Sequence, residues 1–315
     1  MSRYLVTGGA GFIGSHITQA LLKKKHSVRV LDNFSSGKKE NLSFAVGLSK
    51  DTFELMQGDI RDKATCYNAC LGIDYVLHQA ALRSVPKSMT SPIEYNEVNV
   101  NGIINMLEAS LNNKVKCFVF ASSSSVYGET KKFPEKENFL PDPISPYALT
   151  KLTGEHYCRM FSHHYGLPTV ALRYFNVFGP RQSLDDEYAV VIPKFISCIL
   201  KDEPPPIFGT GKQSRDFTYI DNVVAANLLA AQKANGKAMV FNVGCGRDFS
   251  ILELVRALNA IMHKNIKPVF LKVRAGDVFK TKADISRIKK ELGYRPEMDF
   301  IRGLALTVEY FKNNA

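Results

Sequence analysis

The sequence predicts an α/β protein: a doubly wound parallel sheet followed by a smaller second domain. Three observations lead there. Short β-rich runs alternate with longer amphipathic stretches through the first half, a glycine-rich turn joins the first run to the first long stretch, and the alternation weakens after Arg173. Strands are expected at 3–7, 27–31, 53–57, 75–78, 116–121 and 169–173, where β-branched and aromatic residues cluster. Helices are expected at 12–25, 92–112 and 146–165 by length and spacing. Beyond Arg173, Pro204-Pro205-Pro206 and Gly209-Thr210-Gly211 break the chain before a further helix at 251–262. This gives domains of 1–175 and 176–315, with a stretch near 217–245, including Val240-Phe241-Asn242-Val243, free to return to the first sheet.

With 315 residues, 45% hydrophobic and 23% charged, the chain is long enough for a large buried core, and its composition fits a soluble globular protein. No apolar run suits a membrane span and Met1–Thr7 lead directly into the glycine turn, so a cytoplasmic protein without membrane contact is expected. The six cysteines form no C-x-x-C pair and read as reduced thiols, and no metal site is expected. The formal charge is +11, but the lysine clusters, such as Lys23–Lys25 and Lys289-Lys290, are scattered and lack interleaved aromatics. A solvated surface is expected from them, not a nucleic-acid groove.

Tyr4-Leu5-Val6-Thr7-Gly8-Gly9-Ala10-Gly11-Phe12-Ile13-Gly14 holds glycines at both G-x-G-x-x-G and G-x-x-G-x-x-G spacing. Glycine permits a tight turn and close approach of a pyrophosphate to the positive end of the following helix. Asp32 closes the second strand about 20 residues on, where a carboxylate binds ribose hydroxyls and repels a 2′-phosphate, so NAD is favoured over NADP, with Lys38 and Lys39 the only counter-argument. Asp59-Ile60 and Gln79-Ala80-Ala81 follow the third and fourth strands, at the edge where an open sheet takes its ligand.

Ser145-Pro146 reads as a cap and a first-turn proline, which places Tyr147 and Lys151 at i and i+4 on one helix face. A tyrosine is a base at neutral pH only if a cation stabilises its phenolate, and Lys151 is placed to do so. The hydroxyls of Ser122-Ser123-Ser124-Ser125 end the fifth strand at the same edge.

These residues resemble the extended short-chain dehydrogenase/reductases, of Rossmann type, and within them the nucleotide-sugar 4-epimerases. The resemblance runs through nearly the whole chain, also taking in Asn99-Val100-Asn101-Gly102, Leu172-Arg173-Tyr174-Phe175-Asn176, Arg215-Asp216-Phe217 and Arg274-Ala275-Gly276-Asp277. It implies a tightly held NAD, a UDP-sugar substrate and a homodimer built on the helices near 92–112 and 146–165. It implies that Tyr147 exchanges the proton of the sugar 4-hydroxyl, that Ser123 hydrogen-bonds that oxygen, and that Lys151 holds the nicotinamide ribose and lowers the tyrosine pKa. For the cofactor it adds Asn33, Ser35, Gly37, Asn99 and Tyr174 to the residues above. For the substrate it implies Ser84, Ser123, Ser124, Asn176, Gln182 and Val191. Arg215 and Arg274 would grip the diphosphate, Asp277 the ribose, and Phe208 and Phe217 would border the uracil.

A dinucleotide-binding regulator would keep the glycines and Asp32 without needing Ser123, Tyr147 and Lys151 together. The related 4,6-dehydratases carry an Asp-Glu pair, and the sugar-nucleotide decarboxylases a glutamate, where this chain has Ser124-Ser125. Within the epimerases, the position aligned with Thr281 lines the sugar pocket, where tyrosine excludes 2-acetamido groups and a small residue admits them. Thr281, with Ser84-Val85-Pro86, Gln182 and Tyr188–Pro193, makes the chain most similar to the UDP-N-acetylglucosamine 4-epimerases. UDP-glucose and UDP-glucuronate 4-epimerases stay open as alternatives, the latter with Ser124, Ser125 or Arg181 for a carboxylate.

Overall fold

In the computed structural model, residues 1–183, 191–233, 237–273 and 278–314 are described. The first half runs β1 (Arg3–Thr7), α1 (Phe12–Lys23), β2 (Ser27–Asp32), β3 (Phe53–Gln57), α2 (Lys63–Cys70), β4 (Tyr75–His78), α3 (Val85–Thr90), α4 (Pro92–Asn96), α5 (Gly102–Asn112), β5 (Cys117–Ser123), α6 (Pro146–Tyr165) and β6 (Thr169–Tyr174). The second half runs β7 (Val177–Phe178), α7 (Val191–Leu200), β8 (Pro206–Phe208), β9 (Ser214–Arg215), β10 (Thr218–Tyr219), α8 (Ile220–Lys233), β11 (Met239–Val243), β12 (Phe249–Ser250), α9 (Ile251–Met262), β13 (Val269–Leu271), α10 (Ser286–Leu292) and α11 (Phe300–Asn313).

Seven strands form one parallel sheet in the order β11-β6-β5-β4-β1-β2-β3. Alternating side chains feed its two faces. Leu5, Leu31, Val76, Phe118 and Phe120 pack with α2, α5 and α6, while Tyr4, Val6, Val30, Val119 and Leu172 pack with α1, α8 and the second half. Burial on both sides is why these strands read as nearly continuous apolar runs. Met239–Val243 lies parallel to β6 in register Val240↔Ala171, so the chain does return to the first sheet. The remaining short strands pair as β7 with β10, β9 with β12 and β8 with β13, and with α7, α9 and α11 they build the smaller lobe, while α10 packs on β11 and α8.

The helix expected at 92–112 is continuous, α4 and α5 being joined by a wider π turn at Glu97–Asn101 whose flanking residues keep helical backbone angles. There the buried Asn99 amide bonds both backbone groups of Leu82, at 2.8 and 2.9 Å, and Thr150 Oγ1 at 3.1 Å. A π turn widens a helix locally, and here it accompanies a side chain that fixes the loop after β4. The first helix ends at Lys23, two residues early, because Lys25 turns into the left-handed region at φ 61°.

Candidate active site

At the carboxyl ends of β1 to β6 opens a cleft of about 1220 Å³. Its floor is the glycine turn. Gly8 sits at φ +66°, and a Cβ there would come 2.8 Å from the Ala80 backbone nitrogen; a Cβ on Gly14 would meet the Gly8 carbonyl. The backbone thus leaves room for a phosphate at the N-terminus of α1, where Gly11, Phe12 and Ile13 line the cleft. At its far end Asp32 accepts hydrogen bonds from the Ala10 and Phe34 N–H groups at 2.9 and 2.8 Å. Burial pushes the Asp32 carboxyl up, and those two bonds oppose it. A Cβ on Gly37 would lie 2.9 Å from both Asp32 oxygens, so the ribose-sized space beside the carboxylate depends on glycine. Asn33 and Ser35 line this end; Asn33 donates to Asp59 at 2.9 Å, and Arg61 chelates the same carboxylate and holds it well below the usual range. Ile60 completes the wall. This cradle fits a dinucleotide without a 2′-phosphate.

Gln79, Ala80, Ala81 and Tyr174 line the middle of the cleft. The Tyr174 hydroxyl is engaged by Gln79 and Asn227. Asn99 is not among the lining residues; its amide bonds Leu82 and Thr150 and so holds the loop after β4. Ser84 caps α3, accepting from Lys87 N–H at 3.3 Å, and is not among the lining residues, while its neighbours Arg83, Val85 and Pro86 are.

Ser145 caps α6 by accepting from Ala148 N–H at 3.2 Å, and the helix then presents Tyr147 and Lys151 to the cleft beside β5. Ser123 accepts from the Ser125 N–H at 3.1 Å and from its hydroxyl at 2.9 Å, and it is hydrogen-bonded to Tyr147. Lys151 donates to the Ala121 carbonyl at 2.8 Å and lies 5.8 Å from the Tyr147 ring centroid. Burial pushes the Lys151 ammonium down to about 7. Burial also holds the Tyr147 phenol above its ordinary value, with the Ser123 hydrogen bond and the nearby Arg83 opposing it. The expected lowering by Lys151 is therefore not the dominant effect in the protein alone, because desolvation of the phenol outweighs every nearby group.

The facing wall comes from the smaller lobe. Asn176, Gln182, Val191, Phe208, Arg215 and Thr281 line it together with Ser124 of the first half. The Thr281 hydroxyl donates to Asn176 Oδ1 at 3.0 Å and accepts from Asp216 N–H at 3.3 Å. Phe217 does not border the cleft; it is 1% exposed and stacked on Phe300 in the core, centroids 5.4 Å apart. Arg274 and Asp277, and Tyr188 to Val190, lie outside the described residues. Sequence reading names Ser125 only as a candidate carboxylate partner and not as a donor to Ser123, and it misses Arg83 and the structural roles of the buried acids Glu135 and Asp216. Among the described residues no His, Cys, Asp and Glu cluster is arranged to hold a metal.

A model of the NAD dependent epimerase/dehydratase family matches residues 4–244. The chain belongs to this family. A UDP-glucose 4-epimerase of Mycolicibacterium smegmatis is 37% identical over 315 residues, covering 99% of both chains. A UDP-N-acetylglucosamine 4-epimerase from Methanobrevibacter ruminantium, solved in complex with UDP-N-acetylmuramic acid, superposes with TM-score 0.94 at 41% identity, covering 100% of this chain and 99% of its own. A UDP-glucuronic acid 4-epimerase from Bacillus cereus, solved with UDP-glucuronic acid and NAD, gives 0.91 at 36% identity, covering 99% of this chain and 100% of its own. As a family member the chain is an NAD-dependent enzyme, and among its described residues no helix is long and apolar enough to cross a membrane.

Proposed function

We propose that the protein interconverts UDP-N-acetylglucosamine and UDP-N-acetylgalactosamine by inversion at C4. The chain is a UDP-sugar 4-epimerase. The observation that carries the epimerase chemistry is the cleft itself, in which Ser123, Tyr147 and Lys151 line one wall and Asn176, Arg215 and Thr281 the other, above a dinucleotide cradle. When bound, NAD supplies the hydride acceptor and a cationic ring beside the phenol.

Tyr147 takes the proton of the 4-hydroxyl. Ser123, whose oxygen already accepts two hydrogen bonds from Ser125, keeps its own proton for Tyr147 or for the sugar oxygen. Lys151, anchored on the Ala121 carbonyl, has further protons to donate to a ribose hydroxyl. The 4-keto sugar then turns within the cleft and the proton returns from Tyr147 as the opposite face is reduced. Arg215 grips diphosphate oxygens, with the Asn176 amide beside it.

Three features support the acetamido substrate. Thr281 is small and its hydroxyl is drawn onto Asn176 and Asp216, which leaves space where a tyrosine would stand. Arg181 directs its guanidinium to Ser15 and Gln19, at 3.3 and 2.6 Å, and over the Phe44 ring, away from a role as a uronate partner. The 41%-identical solved structure is a UDP-N-acetylglucosamine 4-epimerase. Thr281→Tyr tests the reading: it should cost the acetamido substrate roughly 10- to 100-fold in kcat/KM while sparing UDP-glucose. Equal losses, or wild-type activity confined to UDP-glucuronate, would overturn it. The exposed Ile93 and Leu149, at 75% and 54%, with Met89 and Met160, support a homodimer on these helices, which light scattering would test.

A further inference from the structure

A line of buried polar groups crosses the molecule beneath the cleft. It starts on the catalytic helix α6, where Glu155 accepts from the Ser122 hydroxyl and holds Arg173 with two bonds of 2.8 and 2.7 Å. The Arg173 guanidinium lies 4.7 Å from the Tyr127 ring centroid, and its Nη1, which has no hydrogen-bond partner, is left to the face of that ring. The Tyr127 hydroxyl donates to Asn242 Oδ1 at 2.7 Å. The Asn242 amide donates in turn to the Glu135 carbonyl at 2.9 Å and the Asp284 carbonyl at 3.3 Å. Glu135 bridges onward, its carboxylate accepting from Lys282 N–H at 2.8 Å and its carbonyl from Asp284 N–H at 2.8 Å. Tyr127 is 2% exposed and Asn242 0%. The line thus joins α6 and the turn Ser123–Tyr127 to the segment 281–284 that carries Thr281.

We infer that Tyr127 is a positioning residue: through Asn242 it ties the catalytic serine turn to the Thr281 segment and so fixes the spacing of the two facing walls. This rests on the 4-epimerase reading. The reaction needs that spacing because the oxidised sugar must turn without leaving. Oxidation moves the C4 hydride to the nicotinamide and the hydroxyl proton to Tyr147. If the ketone escapes at that stage, one oxidised sugar is released for each cofactor reduced. Walls held at a fixed separation favour the return of hydride over escape; a small displacement is enough to alter that partition.

The experiment uses the holoenzyme and compares the wild type with Tyr127→Phe, Asn242→Ala and the double variant. It reads kcat and KM for UDP-N-acetylglucosamine, the rise of reduced-nicotinamide absorbance per turnover, UDP affinity by calorimetry, and the thermal midpoint. Tyr127→Phe removes one oxygen and keeps the ring beneath Arg173. We expect about a 10- to 100-fold fall in kcat, at least about a tenfold rise in ketone escape per turnover, and UDP affinity within about twofold of wild type. The double variant should lose no more than the worse single, since both act through one bond. Should Asn242→Ala fail to fold, Tyr127→Phe decides alone. A lowered midpoint with unchanged partition would make the bond merely structural and overturn the inference. So would wild-type kcat in Tyr127→Phe. A wild type that converts no UDP-sugar overturns the epimerase reading with it, whereas conversion with an unaltered partition in Tyr127→Phe overturns this inference alone.

Discussion

Ser123 shows how much of an active site depends on single atoms. Both hydrogen bonds it accepts come from Ser125, so its proton is directed to the Tyr147 side of the cleft. Tyr147 is held above its ordinary pKa by desolvation and so is a neutral phenol in the protein alone; a cation beside it stabilises the phenolate and makes its oxygen available as a proton acceptor. Tyr147→Phe is therefore expected to lower turnover by about 10² or more while UDP affinity changes little, as separate kinetic and calorimetric measurements would show. Unchanged turnover would mean that another base operates. Tyr147, Lys151 and Ser123 were legible in the sequence because helix periodicity and a strand end bring them together. Ser125 was not, because nothing in a run of serines says which hydroxyl serves another. Phe217 misled for the opposite reason: an aromatic beside Arg215 and Asp216 looks like a ring for a base, yet it packs on Phe300.

At the scale of elements, two buried acids hold the segment that carries Thr281. Glu135 accepts from Lys282 N–H, and Asp216 accepts from the N–H groups of Cys245, Gly246 and Ala283 at 2.8, 2.9 and 3.1 Å. Burial pushes the Glu135 carboxyl up to about 7, the Lys282 hydrogen bond opposing and the Asp216 charge adding to it. An acid raised on folding contributes stability that is full below its unfolded value near 4.5 and lost as pH rises through 7. Glu135→Gln keeps an oxygen for Lys282 and cannot ionise. It should be more stable than wild type at about pH 8, by on the order of 2–3 kcal/mol, with no advantage near pH 4.5. Denaturant melts across that range check this; an advantage independent of pH would refute it. Five of the six strands of the first half were readable because they are mostly buried on both faces, and β3, at the sheet edge, because it alternates in exposure, whereas β7 to β10 are two or three residues long and hold too few side chains for a period to show. The helix at 92–112 was legible, but the π turn within it at Glu97–Asn101 was not, because it accompanies a contact with Leu82, 17 residues from Asn99 in sequence.

Across the whole molecule, the cleft is shared. The sheet supplies the cradle from Gly8 to Asp32 and the Ser123, Tyr147 and Lys151 side chains proposed to react; the smaller lobe supplies Asn176, Arg215 and Thr281 as the opposite wall. A cofactor held in this cradle would take part in a cycle with no net oxidation, so nothing in the proposed reaction requires it to leave. We expect the purified protein to epimerise without added NAD and to retain the cofactor through gel filtration. Removing it should lower the thermal midpoint, because a ligand that binds only the folded state stabilises by about 2.7 kcal/mol at a hundred times its Kd. The amount of reduced nicotinamide at steady state should stay far below one per sugar converted. Stoichiometric reduced cofactor with accumulating oxidised sugar would instead describe a dehydrogenase, in which the same Ser123, Tyr147 and Lys151 act once and the product departs before the hydride can return.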